Sequence, residues 1–82
     1  MRFSEALEHV YDGKRIHRAG WNGKNMYVFL GRCSPNAIQG APLTVSAPDC
    51  EFLCMFNAKR HIVVGWLASQ EDMLADDWAI IS

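Results

Sequence analysis

Three tryptophans, Trp21, Trp66 and Trp78, have to find their places in a chain of only 82 residues. Each carries a large apolar face and one N–H donor that needs a partner when buried. Two of them follow glycine, in Arg18-Ala19-Gly20-Trp21-Asn22-Gly23 and in Gly65-Trp66-Leu67-Ala68-Ser69. A chain this short makes one domain, residues 1–82, and buries roughly 60–65% of its unfolded surface. The indoles therefore either fill a thin core or stack a flat ligand beside turns that supply polar groups. Half the residues are hydrophobic, a surplus that favours an oligomer whose interfaces continue the core.

The local signals alternate between strands and turns. Ser4 as N-cap, Glu5 in the first turn and the stripe Leu7, Val10, Tyr11 predict a helix over 5–12, with Gly13 just past its end. Residues 14–18 read as a short polar strand. Asn22-Gly23 is a hairpin signal, and 26–30 is an apolar run for the returning strand, which places Trp21 at the hairpin tip. Residues 31–49 hold all three prolines and read as a long loop with a brief strand at 43–46, a segment length that tends to be functional. A second hairpin joins 51–57 to 61–66 through Ala58-Lys59-Arg60. Ser69 caps a short helix over 70–75, with Asp72 at capping-box spacing, and 78–81 is a closing strand with Trp78 in the core. The fold class is α+β: a small antiparallel sheet with an N-terminal helix and a short helix before the C-terminal strand.

Charge and motif content narrow the function. Eight basic residues stand against nine acidic ones, a net charge of −1, which argues against grip on a nucleic-acid polymer. The basic residues Lys14, Arg15, Arg18 and Lys24 are nevertheless concentrated, enough for a small anionic ligand. No apolar run is long enough to span a membrane, and no signal peptide opens the chain. The expected location is a cytoplasm, with Cys33, Cys50 and Cys54 as reduced thiols. Their spacings with His61 do not match paired zinc-binding patterns, and Cys54 sits in an apolar strand as a small core residue. His9, His17 and His61 are scattered, and no nucleophile, phosphate-loop or metalloprotease motif is present. Asp72, Asp76 and Asp77 are candidate acid–base groups, but helix-start and turn charge accounts for them more simply. Trp21, outside the apolar runs, is the better ligand or interface candidate, followed by Trp66. Asp72 suits ribose hydroxyls, whereas Arg18 and Lys24 suit phosphates.

These residues carry a resemblance. Phe3-Ser4-Glu5-Ala6-Leu7, Gly13-Lys14, residues 18–24 and residues 65–78 are similar to a family of small phage proteins that includes the second Thoeris anti-defence protein. The resemblance covers both ends, about half the chain. It implies a sponge that sequesters a nucleotide immune signal, a glycocyclic ADP-ribose made by TIR enzymes or in some members a cyclic oligonucleotide, without cleaving it. It further implies a homotetramer with ligand held between protomers. The candidate ligand-binding set is then Arg18, Trp21, Asn22, Lys24, Asn25, Trp66, Ala68, Ser69 and Asp72, with no catalytic residue, metal or cofactor. A protein-binding inhibitor using the long loop and a cyclic-nucleotide hydrolase stand as alternatives.

Overall fold

A computed structural model describes residues 1–21, 25–37, 40 and 48–81. Among these residues two α-helices, α1 (Phe3–Tyr11) and α2 (Gln70–Leu74), and a 3-10 turn (Pro35–Ala37) accompany five strands: β1 (Ile16–Arg18), β2 (Tyr27–Cys33), β3 (Cys50–Phe56), β4 (Ile62–Val64) and β5 (Trp78–Ile80). They form one antiparallel sheet in the order β4-β3-β2-β1-β5. The α+β class expected from the sequence is the class found.

Helix α1 forms because Ala6 and Val10, one turn apart, are fully buried on one stripe. It starts earlier than the Ser4 cap predicts: Arg2 occupies the N-cap, and its backbone N–H donates to Glu5 Oε1 at 3.4 Å. Packing outweighs capping here, since Phe3 rests on Trp78 with ring centroids 5.0 Å apart. At the other end Gly13 takes φ +86, the left-handed conformation expected past a helix.

Strands β2 and β3 pair over seven positions, from Tyr27↔Phe56 to Cys33↔Cys50. The loop expected from residue 31 thus begins only after Cys33. Cross-strand partners extend the ladder, Arg32 Nη2 bonding Glu51 Oε2 at 2.8 Å, while Gly31 leaves room for the Phe52 ring. The brief strand expected at 43–46 lies outside the described residues. The β3–β4 turn is fixed by Asn57, whose Oδ1 accepts the N–H groups of Lys59 and His61 at 3.0 and 2.9 Å. Strand β4 is shorter than the expected 61–66. Gly65 at φ +77 turns the chain out of the edge strand, and Trp66 instead packs against the core.

Alternation along paired strands gives the sheet two distinct faces. Ile16, Val28, Met55 and Trp78 meet α1 on one face and, with Ala6 and Val10, make the core. Tyr27, Phe29, Phe52, Cys54, Phe56, Ile62 and Val64 share the other by register. Among the described residues no helix covers that second face. Here Tyr27 stacks on Phe56 at 5.2 Å, with the Arg15 guanidinium 4.9 Å over Tyr27 and the Arg60 guanidinium 5.7 Å over Phe56.

Candidate functional site

The β1–β5 register brings the two Gly-Trp segments together. Arg18 pairs with Trp78, so the end of β1 lies beside the acidic stretch before β5. The Arg18 guanidinium bridges two carboxylates: Nη1 to Asp72 Oδ1 at 2.7 Å and Nε to Asp77 Oδ1 at 2.8 Å. The Asp72 and Arg18 side chains are only 17% and 12% exposed, so this ion pair is largely withdrawn from water. Asp77 also accepts the Gly20 N–H at 2.8 Å. A Cβ on Gly20 would stand 2.9 Å from Asp77 Oδ2, which makes that glycine a matter of space. Gly65 has open space around it and is needed for its backbone angle. The two Gly-Trp units thus use glycine for different reasons.

Above the ion pairs the three indoles meet edge to face. Centroids lie 5.2 Å apart for Trp21–Trp78, 6.3 Å for Trp21–Trp66 and 6.5 Å for Trp66–Trp78. Two of their N–H groups end on one residue: Trp21 Nε1 donates to Asp72 Oδ1 at 3.1 Å, and Trp78 Nε1 to the Asp72 carbonyl at 2.9 Å. Ser69 caps α2, its hydroxyl accepting the Asp72 N–H at 3.1 Å. Asp72 is therefore the knot of the corner, holding helix start, β-hairpin and core together.

Electrostatics follow from the contacts. Burial pushes the Asp72 carboxyl up, but hydrogen bonds from Arg18, Trp21 and Ser69 outweigh it and hold it below the usual range. Asp77 is held low by Arg18, against some desolvation, with help from the Gly20 N–H. The two carboxylates in turn keep Arg18 more firmly protonated. At neutral pH neither aspartate carries a proton to donate. The corner can offer a cation, carboxylate oxygens and indole surface, all preset in charge.

Among the sequence candidates, Arg18, Trp21, Trp66, Ser69 and Asp72 come together here. Ala68 is half-buried between Trp66 and Ser69, and Asn25 is exposed at φ 65 at the foot of β2. Asn22 and Lys24 lie outside the described residues. Three expectations change. Trp21 is not a free tip residue but packs against the core, because its N–H finds Asp72 and its ring finds two others. Arg18 and Asp72, read as separate phosphate and ribose patches, are one ion pair. Asp77, set aside as turn charge, proves integral. Its only sequence signal is an acid just before one strand matching a base at the end of another.

Over residues 1–81 the chain matches the Tad2-like family, the Thoeris anti-defense 2-like domain, and it belongs to that family of phage anti-defence proteins. Thoeris anti-defense 2 of Bacillus phage SP01 is 35% identical over 85 residues, spanning 100% of this chain and 96% of the relative.

Proposed function

We propose that this protein is a sponge: it binds a nucleotide immune signal, a glycocyclic ADP-ribose produced by TIR enzymes, and holds it uncleaved. The observation that carries the reading is the corner where one guanidinium, two ionised carboxylates and three indoles converge. A base can stack on indole at roughly 1–3 kcal/mol, riboses can bond carboxylate oxygens, and phosphates can engage Arg18 once it is released from one aspartate. Ionised, ion-paired aspartates suit recognition and supply no general acid at neutral pH. Arg18, Trp21, Asn22, Lys24, Asn25, Trp66, Ala68, Ser69 and Asp72 are the proposed contacts.

The same reading includes self-assembly, with a homotetramer as the form that holds the ligand. Its support is the second sheet face, where Tyr27, Phe29 and Phe56 are half-buried and Ile62 and Val64 are 59% and 66% exposed. Such a surface is stabilised by covering it with another copy.

Incubation with the product of an activated TIR enzyme, removal of unbound material, heat denaturation and mass spectrometry test the reading. Near-stoichiometric intact signal is expected. A ring-opened product means hydrolysis. An unloaded protein that captures a cyclic dinucleotide in a parallel incubation assigns the other signal class. Capture of neither removes the sponge reading and leaves the protein-binding alternative.

A further inference from the structure

Cys33 closes β2 and Cys50 opens β3, and the two are direct cross-strand partners, the last pair of the ladder. Both are free, half-buried thiols. Sharing a register position on adjacent strands, they point to the same face, and their side chains are within hydrogen-bonding reach of one another. Facing residues of an antiparallel pair have Cα atoms about 4.5–5.5 Å apart. That lies inside the 4.4–6.8 Å window a disulfide needs, so no strand has to move. The adjacent pair fixes the register, because Arg32 and Glu51 are opposed and ion-paired at 2.8 Å. The third thiol is set apart: Cys54 is 3% exposed, and burial pushes its thiol up, away from reactivity.

Two thiols leave a tetrahedral site half filled, and no group of three or more His, Cys, Asp or Glu gathers as a metal site among the described residues.

We propose that Cys33 and Cys50 form a reversible dithiol/disulfide couple, oxidised by exchange with a low-molecular-weight disulfide. One cysteine thiolate attacks a sulfur of the small disulfide, forming a mixed disulfide and expelling one small thiolate. The second cysteine thiolate attacks the protein-bound sulfur of that adduct, forming the Cys33–Cys50 bond and expelling the other small thiolate. The protein loses two electrons and two protons, and the small disulfide becomes two thiols. Burial raises the Cys33 thiol, so attack by that sulfur is favoured by alkali. The product staples β2 to β3 at the base of segment 34–49, making one covalent ring of the hairpin's far end.

The test equilibrates the intact protein in glutathione redox buffers of graded ratio, followed by acid quench, mass analysis and peptide mapping. A product lighter by two hydrogens is expected, with a single Cys33–Cys50 cross-link and with Cys54 alkylated only after denaturation. The thermal midpoint should rise on the order of 10 °C, since the cross-link closes a ring spanning 34–49. The variant Cys50→Ser should stop at a glutathione adduct on Cys33, with no rise. Failure of the wild type to oxidise in the most oxidising buffer would overturn the proposal. So would a lasting glutathione adduct on the wild type, cross-links between chains, or an unchanged midpoint after oxidation.

Discussion

Asp72 is the residue whose replacement best tests the corner. In Asp72→Ala, Arg18 Nη1 loses its 2.7 Å acceptor and Trp21 Nε1 its 3.1 Å acceptor. Neither donor regains water easily, because Arg18 is 12% exposed and Trp21 is wedged between two rings. A charge-assisted bond contributes about 1.5–3 kcal/mol, and an orphaned buried donor costs about 1–3 kcal/mol. Arg18 keeps Asp77, so the loss stays below that of a fully abandoned charge. The expected total is about 2–4 kcal/mol. A chain of this size has a stability of about 4–12 kcal/mol, so Asp72→Ala should lower the thermal midpoint by roughly 10–25 °C. Asp72→Asn keeps one acceptor oxygen and the peptide carbonyl that Trp78 uses, and should cost about 1–2 kcal/mol. Urea unfolding at neutral pH and fixed protein concentration, followed by tryptophan fluorescence, measures both. A coupling below about 0.5 kcal/mol in the cycle of Asp72→Ala with Arg18→Met would refute the reasoning, as would a cost for Asp72→Ala no larger than for Asp72→Asn.

Three further outcomes follow from the same geometry. Trp21→Ala should cost about 2–4 kcal/mol by urea titration, since a half-buried indole and two ring contacts are lost, whereas Trp21→Phe should stay folded and show any binding role by calorimetry. Ser69→Ala should cost about 0.5–2 kcal/mol through the lost cap on α2, read as a lower urea midpoint without ligand. Asp72 and Asp77 are held below their usual range in the folded chain, so their stabilisation is complete above the ordinary carboxylate range and is lost as pH falls through and below it; melting from pH 7 to pH 3 should show that loss, and Arg18→Met should flatten it.

Much of this fold is legible along the chain. The turn at Gly13 and the Ser69 cap on α2 depend on neighbours within a few residues, and the apolar run that follows Trp78 marks it for the core even though its packing partners are distant. What is not legible depends on distant partners. The early start of α1 is set by Phe3 meeting Trp78, and the full length of β2 by cross-strand bonds such as Arg32–Glu51. Trp21 looks like a tip residue because its immediate neighbours in sequence are turn formers rather than apolar residues. Its burial needs Asp72, 51 residues away. Arg18 and Asp77 are 59 residues apart, and no local rule joins them.

The pairing of β1 with β5 has a kinetic meaning. Trp78 is the largest fully buried side chain among the described residues, yet one of its ring partners is Phe3, and its backbone N–H is accepted by the Met1 carbonyl. Local hairpins such as β3–β4 close over a few residues, while this docking has to close nearly the whole chain, the kind of step that slows folding. The plug of the core is then among the last pieces to arrive. Until it does, the sheet ends at β1 with its outer hydrogen-bonding edge open to any other extended segment. A pulse of proteolysis during refolding should find this region last to gain protection. Removing residues 1–3 should loosen the segment around Trp78 as well, since the two segments are each other's lock.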